Sequence, residues 1–168
     1  MKRRTLLQLG IGGAVILTVA GGATALLRPG LVDGKLSPGG RDVFRAVGRA
    51  VLDGSLPAVP EAAAAELDAQ LTRLNDTIAG FPAHTRDEIS TLLSLLASAP
   101  GRIALAGLAT PWPDASVAQI QQALQDMRTS SLSLRMQAYH ALRDLTNAAY
   151  YADPASWAQL GYPGPREL

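Results

Sequence analysis

The chain contains no cysteine, and only His84 and His140 supply imidazole. Without cysteine there is no disulfide staple and no thiolate metal site, so stability has to come from packing. Neither histidine stands in a His-Glu-x-x-His or His-x-x-x-His arrangement, so no zinc set is spelled out. Charge is scarce as well: Asp, Glu, Lys and Arg make up 17% of the 168 residues, against a usual quarter or so. A sparsely charged surface suits a subunit that a partner partly covers. Lys35 is the only lysine beyond residue 2, and the arginines are scattered. Nucleic-acid binding needs clustered phosphate-neutralising cations, so that class is set aside. Also missing is any polar–apolar alternation of strand length, since the β-branched residues sit singly inside helical patterns.

What is present begins with an export pattern. Lys2, Arg3 and Arg4 precede a stretch, residues 6–27, without a single charge. An apolar run of about twenty residues can span a bilayer as a helix. Gly10, Gly12, Gly13, Gly21 and Gly22, however, each lower helix propensity by about 1 kcal/mol relative to alanine. Ala23 and Ala25 flank Thr24 as the small-x-small site that a signal peptidase needs, and Arg28-Pro29-Gly30 beyond them reads as an exposed linker. Residues 1–25 are therefore a cleaved signal or a retained anchor, residues 26–40 a linker, and residues 41–168 the folded domain. The pair Arg3-Arg4 followed by Thr5, Leu6 and Leu7 fits the twin-arginine pattern, although Leu6 replaces the frequent phenylalanine and Gln8 the frequent lysine. That route moves proteins already folded, commonly with a cofactor bound, and puts them in the periplasm. Without residues 1–25, the 15 basic side chains lose Lys2, Arg3 and Arg4, leaving 12 against 14 acidic ones and a net charge of −2.

The rest reads as helices. Ser37-Pro38-Gly39-Gly40 opens a pattern in which Val43 or Phe44, Val47 and Val51 recur at helical spacing, ending at Asp53-Gly54. Residues 61–79 carry Leu67, Leu71, Leu74 and Ile78 on one stripe and stop at Gly80. Thr85 with Glu88 three residues on has the form of a capping box ahead of Ile89, Leu92, Leu93 and Leu96. Pro111 and Pro113 forbid regular helix around Trp112. Asp114 is the expected cap of a helix carrying Val117, Ile120, Leu124 and Met127. Residues 131–151 carry two stripes, Leu134-Ala138-Leu142-Leu145-Ala149 and Leu132-Met136-Tyr139, which predict a central helix buried on more than one side. The expected fold is all-α, a compact bundle of five or six helices after the N-terminal segment.

The chain offers few residues for chemistry. His140 has Asp144 one turn on, a pairing that could orient a base, yet an ordinary helix-surface pair accounts for it better. Gly10-Ile11-Gly12-Gly13 mimics a dinucleotide loop without the preceding strand or the right third glycine. No catalytic, cofactor-binding or metal-binding residue is assigned, and the chain is not expected to be an enzyme. The conspicuous feature is the C-terminus. Of eight aromatic residues in the chain, Tyr150, Tyr151, Trp157 and Tyr162 fall close together, interleaved with Pro154, Gly161, Pro163, Gly164 and Pro165. Large rings on a proline-stiffened tail lose little entropy on docking, and tyrosine and tryptophan are typical interface anchors.

Three pieces carry a resemblance: the twin-arginine start, Phe44-Arg45-Ala46-Val47, and chiefly Tyr150-Tyr151-Ala152-Asp153-Pro154-Ala155-Ser156-Trp157 running into Gly161-Tyr162-Pro163-Gly164-Pro165. Together they resemble the gluconate 2-dehydrogenase subunit 3 family, the small or gamma subunits of membrane-associated FAD-dependent dehydrogenases. The resemblance implies a non-catalytic escort. Such a subunit binds a large flavoprotein of the glucose-methanol-choline oxidoreductase type and takes it through the twin-arginine pore, with a multihaem cytochrome c subunit as a further partner. FAD and the substrate pocket then belong to the flavoprotein, and Tyr150, Tyr151, Trp157, Tyr162, Pro163 and Pro165 are the expected docking residues. The alternative is an autonomous membrane-tethered helical protein that binds a small apolar ligand or lipid between its helices.

Overall fold

Ser37 starts the first helix by accepting a hydrogen bond from the Gly40 amide at 3.2 Å, and Pro38 fills the first helical position, where no amide is needed. The computed structural model describes residues 28–164. Among them are six α-helices and one small hairpin. Strands β1 (Leu31–Val32) and β2 (Lys35–Leu36) pair antiparallel, and then come α1 (Pro38–Val51), α2 (Pro60–Ala79) and α3 (Ala83–Ala97). The short α4 (Ala99–Gly101) continues into a π-helical turn, Arg102–Ala106, and α5 (Val117–Arg128), α6 (Ser133–Tyr151) and a closing 3₁₀ helix, Pro154–Leu160, complete the chain. The fold is all-α, as the periodicity implies.

The hairpin is the one element that departs from the expected class. Its turn residues Asp33 and Gly34 have φ of 51° and 75°, the pair of positive values a two-residue hairpin turn requires. Asp-Gly between short apolar pieces signals such a turn, but with two residues per strand there is no alternation to read. The stretch expected to be an exposed linker is thus packed from Gly30 onward. The Leu31 amide donates to Ser90 Oγ at 3.1 Å, the Leu36 amide to Asn75 Oδ1 at 2.9 Å, and the Ser37 amide to the Gly30 carbonyl at 3.0 Å.

Centrality belongs to α1 rather than to α6. Val43, Phe44, Ala46 and Val47 are buried, and α1 packs against α2, α3, α5 and α6. Its glycines make that possible, since a Cβ on Gly40 would stand 2.7 Å from the Gly30 carbonyl oxygen. On α6 the first apolar stripe is internal along its length, while the second turns inward only from Tyr139, which packs on the core on the same side as the buried Thr146 and Tyr150. Ala138, Leu142 and Ala149 are buried, whereas Leu132 is 62% and Met136 39% exposed.

Two caps also differ from expectation. Helix α3 starts at Ala83, so Thr85 lies inside its first turn and caps nothing. Helix α5 is capped by Ser116, whose hydroxyl accepts from the Gln119 amide at 3.2 Å while Gln119 Oε1 accepts from the Ser116 amide at 2.9 Å. That reciprocal pair is a capping box, and it displaces Asp114 from the role.

Candidate docking surface

The C-terminal tail starts where α6 runs out of helix-forming sequence at Asp153-Pro154. Asp153 turns the chain: Oδ1 accepts from the Ala155 amide at 2.9 Å, which caps the 3₁₀ helix, and Oδ2 accepts from Arg73 Nη1 at 3.0 Å. Arg73, reaching across from α2, also donates through Nε to the Ala149 carbonyl at 2.8 Å and pairs with Glu66. One guanidinium therefore holds the last turn of α6 and the first residue of the tail together. Ser156 adds an O–H bond back to the Asp153 carbonyl at 2.7 Å.

The far end of the tail is closed by glycine chemistry. Gly161 has φ of 66°, a left-handed value open to glycine at little cost. The Tyr162 amide donates to the Trp157 carbonyl at 3.1 Å, and the Gly161 amide to the Ala158 carbonyl at 3.2 Å. These are the two bonds of a Schellman motif, which is normally accompanied by an apolar contact between the same outer residues. Here that contact is aromatic: the Trp157 and Tyr162 rings meet edge-on with centroids 5.4 Å apart. Trp157 donates its indole N–H to the Tyr151 carbonyl at 2.8 Å and stays half-buried, while Tyr162 keeps 49% of its surface exposed.

The expected docking residues divide accordingly. Tyr162 and Pro163 are exposed on a braced turn, and Trp157 supports them from beneath. Tyr150 faces the other way: it is 3% exposed, and its hydroxyl donates to the Ser55 carbonyl at 2.8 Å, so it belongs to the core and offers no surface to a partner. Tyr151 is half-buried and lies edge-on to Tyr150, with centroids 5.1 Å apart. Pro165 lies outside the described residues, as do Arg3, Arg4, Ala23 and Ala25. Sequence reasoning missed Arg73 and Asp153, which set the angle of the tail. The spacing Trp157-x-x-x-Gly161-Tyr162 was the signal for its capping motif.

The other candidates are scattered. His140 is exposed, with its ring edge-on to Tyr139, and Asp144 pairs with Arg143 at 3.1 Å. His84 is exposed in the first turn of α3. Among the described residues no three His, Cys, Asp or Glu side chains gather as a metal site, and no single helix is long and apolar enough to cross a membrane. A groove of about 340 Å³ runs between α1 and α2, floored by Ala46, Ala63 and Leu67 and edged by Arg45 and Arg49.

Fold and surface together define a helical bundle in which residues 154–164 form a braced aromatic hook. No protein-family model matches the chain, and neither the curated proteins nor the solved structures include a significantly similar one.

Proposed function

We propose that the chain is the small accessory subunit of a periplasmic FAD-dependent dehydrogenase complex, escorting its flavoprotein through twin-arginine export and docking it through the C-terminal hook. The observation that carries this reading is the half-exposed Tyr162 ring, held on Trp157 by a capping motif and presented to solvent instead of to the bundle. A ring already immobilised loses little further entropy on binding, which is what an anchor residue needs. FAD is expected in the partner, and a multihaem cytochrome c subunit would take the electrons onward.

The test is export and co-purification in the native host. Tagged full-length protein should come off the periplasmic or membrane fraction with a flavin absorbance band. Replacing Arg3 and Arg4 together by lysine, which lacks the planar guanidinium fork, should strand both this chain and the flavin-bearing protein in the cytoplasm. Normal periplasmic dehydrogenase activity in that double variant would sink the escort reading. The α1–α2 groove favours a second reading, a protein that holds a small apolar ligand, because its volume lies in the range of ligand pockets. Recovery of the protein with a bound lipid and no flavin would support it.

A further inference from the structure

The folded domain begins very close to the uncharged run of residues 6–27. Only Arg28 and Pro29 stand between that run and Gly30, and Gly30 is fixed. A Cβ there would lie 2.4 Å from the Ser90 carbonyl oxygen and 2.5 Å from Leu93 Cβ, so only a glycine backbone fits against α3. The next amide, Leu31, is bonded to Ser90, and β2 is tied to α2 through Asn75. An extended chain covers at most about 3.6 Å per residue, which puts Gly30 within about 11 Å of the end of the apolar run. The headgroup layer on one side of a bilayer is itself about 5–7 Å deep.

We propose that the apolar run stays attached as a membrane anchor, and that this short tether seats the hairpin face of the bundle directly on the phospholipid headgroups. The residues brought to the lipid are Val32, 51% exposed, and Lys35, paired across from it on β2, with the exposed Arg28 four residues before Val32 in the chain. An exposed valine paired with a long cationic side chain suits the apolar–polar boundary. The cleft beside the hairpin carries Asp33, Asp76 and Asp87 together with Lys35 and Arg86, so the charges there are mixed and it is not a basic patch. Tether length, and not electrostatic attraction, holds it down, and added salt does not release it. The placement leaves the hook free. Asn75, which grips the hairpin, and Arg73, which grips the tail, are two residues apart on α2 and so point about 200° apart around the helix.

Seating on the lipid does not depend on the flavoprotein, and vesicles with the purified chain suffice to test it. Because the chain has no cysteine, single cysteines can be placed without background. Full-length protein would be reconstituted in vesicles of phosphatidylethanolamine and phosphatidylglycerol. A fluorophore would be attached at Val32→Cys, at Lys35→Cys, or at Ala118→Cys on the exposed side of α5, and quenched by lipids carrying nitroxide headgroups. Quenching several-fold stronger at both hairpin positions than at Ala118, unchanged by high salt and abolished by about ten Gly-Ser residues inserted between Leu27 and Arg28, is the expected result. Three results would overturn it: equal quenching at the two faces, a difference that survives the spacer, or a mature N-terminus at Leu26 in protein recovered from the native host.

Discussion

Each of the two tryptophans sits in a proline-bearing, irregular stretch, and the two stretches behave oppositely. Trp112, between Pro111 and Pro113, is 2% exposed and donates its indole N–H to the Leu96 carbonyl at 2.7 Å, stitching the loop to the end of α3. The backbone around it is paired by arginines from three places. Arg102 donates to the carbonyls of Leu108 and Ala109, both at 3.1 Å; Arg135 to that of Leu105 at 2.8 Å; and Arg49 to that of Ala115 at 3.2 Å. The Trp157 indole donates to Tyr151, six residues back, and its ring partner Tyr162 belongs to the same tail. The first stretch is sewn into the core along its length, and the second is tied to the bundle at Asp153 by Arg73 and beyond that is braced on itself. An aromatic ring next to proline therefore carries no fixed meaning; the sequence distance to its partners tells a core plug from a presented anchor.

The sharpest way to break this comparison is Trp112→Ala. Removing a fully buried indole together with a bond to Leu96 should cost about 3–5 kcal/mol of unfolding free energy, read by urea denaturation followed by circular dichroism. Little change would mean that the loop is as peripheral as the tail. A step smaller is Arg102→Leu, which leaves the carbonyls of Leu108 and Ala109 without their donor in a buried setting. The expected loss is about 1–3 kcal/mol, with amide hydrogen exchange accelerated first in the π-helical turn and the residues up to Ala115. Smaller again is Asp153→Ala, which removes the cap of the 3₁₀ helix and one partner of Arg73. About 1 kcal/mol is expected, and limited proteolysis should cut residues 154–164 sooner while the bundle stays intact. Asp153→Asn keeps the capping oxygen and should lie between the two.

The helices were legible because their apolar residues recur at helical spacing: Leu67, Leu71, Leu74 and Ile78 predict α2 and are buried there. Centrality was not. A 14-residue helix with glycines at its start looks weaker than a 19-residue one, and only the close approach of Gly30 to Gly40 shows what the glycines are for. The arginine bonds around Trp112 were invisible because they join carbonyls to side chains as far as 66 residues away, and carbonyls leave no mark in a sequence. In the hook the aromatic cluster drew attention, but it did not divide itself. Tyr150 and Tyr151 are neighbours on α6, and a helix turns about 100° between them, enough to bury one and leave the other half out.

The smallest effect on folding, and the largest on function, is expected of Tyr162→Ala. The ring lies beyond the left-handed Gly161, is half-exposed, and makes its aromatic contact with Trp157 alone among the described rings. Both capping bonds around it are backbone bonds and survive the substitution. Helicity and melting should therefore match the wild type, with unfolding free energy changed by no more than about 0.5 kcal/mol, as for surface substitutions generally. If the ring anchors a partner, its truncation costs on the order of 2 kcal/mol of binding, and since about 1.4 kcal/mol is tenfold, the flavin-bearing protein should drop out of the purification. Tyr162→Phe supplies the control, because it keeps the ring on Trp157 and loses only the hydroxyl. Flavoprotein retained by phenylalanine and lost by alanine would assign the binding to the apolar face of the ring. If both variants keep it, the docking surface lies elsewhere on the bundle and the hook is a C-terminal cap and nothing more.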